Sequence, residues 1–251
     1  MTNLKQCSQQ DVANFLKFAN DIVDKARDIA RHYYRQSKKQ WTKSDNTWVT
    51  EADCAIEEMA RVRVKEQFPD HDFFGEEYGD TTSERQLKWC LDPIDGTMAF
   101  VYGLPTFGVL IALTENSEPI VGIIELPAMK ERWCGARGFT TTWEGQPCRT
   151  NLDRSLTDTA VFATSIDMFS DEERELFNRV SLNARERRFG ADCYAYGLLA
   201  SGYIDVVMEA DMKAYDLMAL VPVDEGPGGI ITDWDGKPIK LDSGKQVLAA
   251  S

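Results

Sequence analysis

Two aspartates lie three residues apart at the end of an apolar segment. The stretch Trp-Cys-Leu-Asp-Pro-Ile-Asp-Gly-Thr puts Asp92 and Asp95 in one short loop, with the Thr97 hydroxyl directly after it. Pro93 fixes one backbone angle and Gly96 permits a tight turn, so the two carboxylates are held close together. Neighbouring carboxylates repel one another unless a cation lies between them. The stretch therefore predicts a cation site.

Two further groups of acids extend this candidate site. Glu76 and Glu77 follow another short apolar segment, and Asp216 stands at the start of an apolar helical segment. Each group alone has an ordinary explanation, because acids are favoured at helix starts and paired glutamates are common on surfaces. Together, hard oxygen ligands from separate strand ends, without histidines, are typical of magnesium sites. If a helix begins at Thr97, its N–H groups also favour a phosphate.

The composition excludes several classes of function. The chain has 251 residues, 43% hydrophobic and 27% charged, which suits one large domain or two closely packed halves. Its net charge of −13 argues against nucleic acid and anionic membranes as partners. Two histidines are too few for a histidine-rich zinc site, and six scattered cysteines fit reduced thiols in a core. With no secretory signal at the N-terminus, we expect a cytoplasmic protein.

The elements that must position the acids follow from the spacing of apolar residues. Helical spacing predicts a long helix over residues 9–36, capped by Ser8, and a second helix over 52–67. Short apolar segments punctuated by Gly and Pro predict an antiparallel-rich sheet. Its strands are predicted at 73–74, 87–91, 107–114, 119–126, 131–135 and 139–143. The second half mixes predicted strands at 160–164, 187–189, 204–208 and 229–232 with helices near 171–180, 193–201 and 215–224. The pattern predicts an α/β or α+β fold.

Three motifs in order resemble the inositol monophosphatase superfamily of magnesium-dependent, lithium-sensitive phosphatases. They are Gly75-Glu76-Glu77, the stretch from Asp92 to Thr97, and Tyr215-Asp216 leading into Glu225-Gly-Pro-Gly-Gly229. The resemblance covers nearly the whole chain and implies a layered α/β/α/β/α sandwich. It implies a single catalytic unit over 1–251, with a metal-site half over 1–145 and a substrate-side half over 146–251. It also implies a homodimer.

Carried over position by position, the resemblance gives each acid a role. Glu76, Asp92 and the Ile94 carbonyl would bind a first magnesium ion. Asp92, Asp95 and Asp216 would bind a second, and a third, weaker ion would be shared near Glu76. Such ions acidify an attacking water and neutralise the leaving oxygen. The same comparison assigns phosphate binding to Gly96 and Thr97, water positioning to the Thr97 hydroxyl, and a supporting role through a bound water to Glu77.

The acid that orients the attacking water is predicted in a polar segment. Residues 43–53 resemble the superfamily segment K-x-D-x-S/T-P-V-T-x-A-D, which makes Asp45 the partner of Thr97. Trp48 replaces the usual proline, and Thr47 stands where inositol-specific members carry an acid. A polar loop aspartate is the alternative interpretation of Asp45.

Further acids stand where the family contacts its substrate. The segment 189–202 aligns with the substrate-side helix and puts Gly190 and Asp192 beside the leaving group. Glu209, seven residues before Asp216, matches a substrate-contacting position. A neutral polyol does not need two extra acids, whereas an amine or imidazole would form charge-assisted hydrogen bonds with them. The alternative role of Asp192 is to cap the following helix.

Three segments are similar to the histidinol-phosphatase branch of the superfamily. They are 192–202, 130–133 and 213–222, although Met98 stands where this branch often has a lysine. The branch hydrolyses L-histidinol phosphate in histidine biosynthesis, an ester that carries both an ammonium and an imidazole. The resemblance implies a further helix after Ser251, so we expect a shortened chain or a member without that element.

Three other functions remain open at this stage. The first is an inositol-1-monophosphatase or broader sugar-phosphate phosphatase with the same metals. The second is an aspartyl-phosphate phosphatase, whose motif D-x-D-G-T has a different spacing and leaves Glu76 without a role. The third is a metal-binding regulator built on a phosphatase fold. The orientation of Asp192 discriminates within the first group, because an Asp192 that points into solvent would weaken the case for a cationic substrate.

Overall fold

The computed structural model describes residues 6–36, 40–42, 48–81, 85–151 and 154–251. Within these ranges the chain forms six α-helices and three sheets. The helices are α1 Gln9–Tyr33, α2 Glu51–Gln67, α3 Thr97–Tyr102, α4 Asp171–Ser181, α5 Tyr194–Ala200 and α6 Ala214–Glu225. In the described part of the chain, no helix combines the length and the apolar character needed to cross a membrane.

The first two sheets are built from the first ten strands. Strands β1 Gln40–Thr42 and β2 Trp48–Thr50 form an antiparallel pair. The large sheet contains β3 Asp72–Gly75, β4 Gly79–Asp80, β5 Leu87–Asp95, β6 Gly108–Glu115, β7 Glu118–Leu126, β8 Glu131–Ala136, β9 Phe139–Trp143 and β10 Gln146–Pro147. Its order is β10-β9-β8-β7-β6-β5-β3-β4, and only the β3–β5 pair is parallel among these described strands.

The third sheet comes from the second half of the chain. Its strands are β11 Ala160–Ala163, β12 Glu186–Phe189, β13 Val206–Glu209, β14 Ile230–Thr232 and β15 Val247–Ala250. They are arranged in the order β12-β11-β13-β15-β14. Strand β11 is parallel to both of its neighbours, and β15 is antiparallel to both of its own. This sheet presents the end of β13, and therefore Glu209, towards the first half.

The layers follow from which faces are apolar. Helices α1 and α2 cover one face of the large sheet in a common core. Helices α5 and α6 lie between the large sheet and the third sheet. Helix α4 packs Phe177 against Val161, Ala163 and Met208 on the outer face of the third sheet. The layered α/β/α/β/α arrangement expected from the resemblance is confirmed.

The long helices begin where their capping residues stand. Ser8 accepts a hydrogen bond from the backbone of Asp11, whose side chain bonds back to the Ser8 backbone, so α1 starts with a capping box. Thr50 and Asp53 form the same arrangement at the start of α2. Apolar residues then recur on the side of α1 that faces the sheet, which gives the helix its buried stripe.

Helix α6 lies unusually close to the large sheet, because two glycines leave room for its backbone. A Cβ atom on Gly122 would stand 2.1 Å from the carbonyl oxygen of Ala219, and one on Gly135 would stand 2.1 Å from that of Pro222. Every other residue type would push the helix away. This close approach holds α6 against the sheet at Ala219 and Pro222, and Asp216 lies three residues before the first of these contacts.

Most predicted elements are present, with differences at their ends. Helix α1 ends at Tyr33 rather than near residue 36, and α5 begins at Tyr194 rather than 193. Strand β5 continues through the aspartate loop to Asp95, although it was predicted to end at residue 91. Strand β1 lies in a stretch that was predicted to be a polar break, and β15 was not predicted at all.

Candidate active site

The aspartate loop is the last part of β5, where the strand departs from regular pairing with β6. The Ile94 backbone N–H donates to Asp92 Oδ1 at 3.0 Å, and the Thr97 hydroxyl donates to the Ile94 carbonyl at 3.1 Å. Asp95 Oδ2 accepts a 2.7 Å hydrogen bond from the backbone N–H of Cys193, just before α5. The loop is therefore held by its own side chains and by an element of the second half.

Three of the predicted ligands form one acidic cluster. Carboxylate oxygens of Asp92, Asp95 and Asp216 all lie within 4.8 Å of one another. Asp216 is oriented by the Lys213 backbone N–H, which donates to its Oδ2 at 2.7 Å at the start of α6. Burial raises the pKa of Asp95 and of Asp216 to about 7, and burial together with the neighbouring carboxylates raises the pKa of Asp92 well above its usual range. Such a group of acids favours a bound cation over its own ionised, metal-free state.

A second cluster joins helix α2 to the loop after β3. Carboxylate oxygens of Asp53, Glu76 and Glu77 lie within 4.8 Å of one another. The charge of Glu76 helps to raise the pKa of Asp53, and also that of Asp92 and of Asp216, so Glu76 faces both clusters. The two clusters thus border one acidic cleft.

Asp53 is a site residue that the sequence interpretation missed. Its Oδ2 accepts a 2.8 Å hydrogen bond from the Thr50 backbone N–H, whereas its Oδ1 is buried and has no hydrogen-bond partner among the residues that the structure describes. Burial raises the pKa of Asp53 to about 7. In the structure this acid also closes the capping box at the start of α2. Its place in the segment 43–53, where only Asp45 was given a role, is the signal that could have indicated a site residue. Asp45, which was predicted to orient the attacking water, lies outside the described residues.

A cavity of about 520 Å³ opens beside the acids and is bordered by both halves of the chain. The first half contributes Glu76 and Asp95 together with Gly96 and Thr97. The second half contributes two more acids, Asp192 and Glu209. Apolar side chains complete the wall, among them Met98, Met168, Met212 and Tyr196. The cavity can therefore hold a ligand that has an anionic end, a cationic end and an apolar body.

Asp192 faces the cavity rather than capping a helix. The residue that caps α5 is Cys193, which makes no side-chain cap hydrogen bond. The backbone N–H groups of Tyr194 and Ala195 donate to the carbonyl oxygens of Ala191 and Asp192 instead. Asp192 Oδ2 instead accepts a hydrogen bond from the Thr106 hydroxyl at 3.3 Å. A Cβ atom on Gly96, whose φ is +75°, would stand 2.7 Å from Asp192 Cγ. Burial, with the charges of Asp95 and Glu209, raises the pKa of Asp192 to about 7.

Glu209 reaches the cavity with both carboxylate oxygens already in hydrogen bonds. Oε1 accepts from the Thr164 backbone N–H at 2.6 Å, and Oε2 accepts from the Tyr196 hydroxyl at 2.8 Å. Burial raises the pKa of Glu209. The predicted contact between Glu209 and substrate would have to be shared with these partners, so its clearest role in the structure is to hold Tyr196 and Thr164 in the wall.

Gly190 is not among the residues that line the cavity, so its role in substrate binding stays a prediction. Its backbone N–H donates to the carbonyl oxygens of Ala163 and Thr164, and its φ is +91°. This left-handed conformation turns the chain out of β12 and towards Asp192, which glycine adopts without strain. Its contribution is to the path of the backbone.

The comparisons with known proteins agree with this arrangement. The sequence pattern of the inositol monophosphatase family matches residues 11–251. The chain is 38% identical to the bifunctional phosphatase IMPL2, chloroplastic, of Arabidopsis thaliana, over 98% of this chain and 72% of that protein. It is 32% identical to a histidinol-phosphatase of Chlorobaculum parvum, over 94% of this chain and 92% of that protein. The structure of an inositol monophosphatase from Zymomonas mobilis matches with a TM-score of 0.88 and 36% identity, over 97% of this chain and 94% of that chain.

Proposed function

Because this chain belongs to the inositol monophosphatase family and is a phosphoric monoester hydrolase, we propose that its substrate is L-histidinol phosphate. The reaction is hydrolysis to L-histidinol and phosphate, a step of histidine biosynthesis. The observation that carries the choice of substrate is Asp192, an acid that faces the cavity next to Gly96 and Thr97. A cationic group on the substrate would neutralise it.

The acidic cleft fits two to three magnesium ions. All the donors are hard oxygens. The buried Oδ1 of Asp53, which has no partner within the described ranges, is an acceptor that a cation or its water would satisfy. Glu76, Asp92 and the Ile94 carbonyl would hold one ion, and Asp92, Asp95 and Asp216 a second, with a third near Glu76 and Asp53. Bound magnesium would supply the positive charge that a phosphate dianion needs and would lower the pKa of an attacking water.

The chain's own residues would position the phosphate and the water. Gly96 and Thr97 line the cavity directly after Asp95, so their backbone would contact the phosphate. The Thr97 hydroxyl, fixed here by the Ile94 carbonyl, would orient the water together with an acid. Asp53 is in reach of the cleft for this task, and Asp45 is the other candidate. Glu77 would support the water from the Asp53 cluster. Enforced alignment of this kind contributes most of the catalysis in phosphoryl transfer.

The leaving-group side of the cavity suits an imidazole and an ammonium. Asp192 would accept a charge-assisted hydrogen bond from one of them, with Glu209 adding negative charge behind Tyr196. Met98, Met168 and Met212 offer polarisable, apolar surface to a flat ring. A polyol, in contrast, would leave the apolar wall in contact with hydroxyl groups.

The second candidate is an inositol or sugar phosphate. Glu209 supports it, because both of its oxygens already accept hydrogen bonds from Thr164 and Tyr196. Asp192 is then the main acid left to contact the leaving group, and one acid is a weaker reason for a cationic substrate than two. The likeness to the Zymomonas mobilis enzyme supports it as well. Both substrates share the metal site, so only the leaving-group side distinguishes them.

Kinetics on two esters test the choice. We expect release of phosphate from histidinol phosphate to exceed that from inositol 1-phosphate, with magnesium required for both. Asp192→Asn removes one charge-assisted hydrogen bond of roughly 1.5–3 kcal/mol, so kcat/KM should fall about ten- to a hundredfold for histidinol phosphate alone. The exposed Asp235→Asn is the matched control and should change neither value. Equal losses on the two esters in Asp192→Asn would refute the proposed substrate.

Four further properties belong to the same proposal. We infer a single catalytic unit over residues 1–251, since both halves line the cavity. We also infer a homodimer in the cytoplasm that is inhibited by lithium, which rests on the family resemblance. Sedimentation tests the homodimer, and a lithium titration of the magnesium-activated rate tests the inhibition.

A further inference from the structure

A buried glutamate on α2 contacts the loop that carries two of the acids. Glu57 lies one turn after Asp53, and its side chain is 0% exposed. Glu57 Oε2 accepts a 2.7 Å hydrogen bond from the backbone N–H of Glu77, and Oε1 accepts one of 3.1 Å from the backbone N–H of Tyr78. One carboxylate thereby binds two successive backbone groups directly after Glu76.

Arg61 completes this contact one turn further along the helix. Its Nε donates to Glu57 Oε1 at 2.8 Å, and its second nitrogen donates to the carbonyl oxygen of Gly79. The guanidinium also lies over the rings of Phe73, at 4.6 Å, and Tyr78, at 6.0 Å. The Glu57–Arg61 pair thus bonds to the backbone of the turn between β3 and β4, at the N–H groups of Glu77 and Tyr78 and at the carbonyl of Gly79.

Gly75 leaves room for the Glu57 carboxylate to approach the backbone of this turn. A Cβ atom at that position would stand 2.1 Å from Glu57 Oε1 and 2.2 Å from the Glu57 carboxyl carbon. The carboxylate therefore approaches the backbone at the residue directly before Glu76. The path of the main chain through residues 75–79 is set from α2 rather than by the loop alone.

We propose that Glu57 is a positioning residue that orients the Glu76 and Glu77 carboxylates for magnesium. The inference rests on the metal role proposed above for those acids. A buried ion pair contributes little to net stability, because desolvation offsets the attraction between its charges. Its use here is geometric. Because Asp53 stands on the same helix, α2 sets the distance between Asp53 and the two glutamates through one rigid element.

Magnesium titration of the protein without substrate tests this role. We expect isothermal calorimetry to give a magnesium Kd that is about ten- to a hundredfold weaker in Glu57→Gln, the range found when residues that support metal ligands are replaced. Arg61→Lys keeps the charge but loses the planar guanidinium that bonds Glu57 and Gly79 at once, so it should weaken binding less. The exposed Glu66→Gln, on the same helix, should bind as the wild type does.

A Glu76→Gln variant separates failure of this inference from failure of the proposed function. If Glu76→Gln binds magnesium as tightly as the wild type, the metal role of the cleft is wrong. If Glu76→Gln binds weakly and Glu57→Gln binds normally, Glu57 has no positioning role, and a lower Tm of Glu57→Gln would then reflect stability alone. If Glu57→Gln does not fold, Arg61→Lys serves as the test instead. A magnesium Kd in folded Arg61→Lys equal to that of the wild type would then overturn the inference.

Discussion

Asp224 is a buried carboxyl that neither the fold nor the acidic cleft employs. It lies in the last turn of α6, is 0% exposed, and has both side-chain oxygens buried without a hydrogen-bond partner among the described residues. Burial, with the nearby charge of Glu225, raises its pKa well above the usual range. Folding therefore favours the protonated form of this carboxyl more than the unfolded chain does.

The raised pKa of Asp224 makes stability depend on pH in a definite direction. In the unfolded chain the carboxyl ionises near pH 3.9, whereas in the folded chain it stays protonated to higher pH. The contribution of Asp224 is therefore fully present below about pH 4 and is lost as the pH rises towards the folded-state pKa. Asp224→Asn cannot ionise. We expect it to unfold with a free energy higher than the wild type by on the order of 1–3 kcal/mol at pH 8, with a smaller gain at pH 5.

Urea unfolding of the two proteins at both pH values measures this difference. The exposed Asp235→Asn should give the same free energy of unfolding as the wild type at pH 5 and at pH 8. A gain in Asp224→Asn that is equal at the two pH values would mean that Asp224 is ionised in the folded protein, which contradicts its expected state.

A sequence pattern identifies a site residue when no structural role, such as a helix cap or a solvated surface position, accounts for its side chain. Asp92, Asp95 and Asp216 were predicted to lie together, and the structure brings them within 4.8 Å of one another. Asp53 was missed, because the role in the segment 43–53 was assigned to Asp45 alone. Glu57 was missed for a different reason. A lone glutamate in a helix carries no signal until its contact with the loop after β3 is known.

At the scale of elements, the contact between α6 and the large sheet sets the position of Asp216. We expect Gly122→Ala to destabilise the protein by about 1–3 kcal/mol, because its Cβ would overlap the Ala219 carbonyl and neither backbone can yield cheaply. Magnesium binding should weaken as well, since any shift of α6 moves Asp216. Urea unfolding and magnesium titration measure the two effects.

Gly244→Ala is the control for that change. A Cβ at Gly244 would meet nothing within 4 Å, so this variant should keep both its stability and its magnesium affinity. If Gly122→Ala is as stable as Gly244→Ala, the close contact does not hold α6 in place. If it is destabilised but binds magnesium normally, the position of Asp216 does not depend on this contact.

Elements were predictable where the local pattern agrees with the tertiary environment. Strand β9 was predicted with the bounds it has, and β6 to β8 within a residue, because glycines and charged turns delimit their apolar runs. Strand β15 has four small or apolar residues and no turn signal beyond it, so only its pairing with β13 and β14 defines it. The extension of β5 to Asp95 also depends on a partner, the start of β6.

At the scale of the whole molecule, the order of the layers came from the resemblance rather than from periodicity. Alternating helices and strands allow several α/β and α+β arrangements, and nothing local in the sequence states that β15 inserts between β13 and β14. The net charge, in contrast, follows directly from counting the charged residues of the sequence. A chain with a net charge of −13 gathers part of its excess acid in one cleft instead of spreading it over the surface.

That concentration of acid should make the stability of the molecule depend on magnesium. A ligand that binds only the folded state at about 100 times its Kd adds about 2.7 kcal/mol, which for a chain of this size is a rise in Tm of roughly 5–10 °C. Protons compete for the same oxygens, since the pKa values of Asp53, Asp95 and Asp216 are raised to about 7. We therefore expect the difference in Tm between excess magnesium and excess chelator to be large at pH 8 and small at pH 5.5.

Sodium chloride at matched ionic strength controls for screening of the net charge. Asp95→Asn should reduce the magnesium effect and lower the rate of hydrolysis by orders of magnitude. Equal stabilisation by sodium and magnesium, or full activity in chelator, would show that the acids of the cleft do not act through a bound divalent cation.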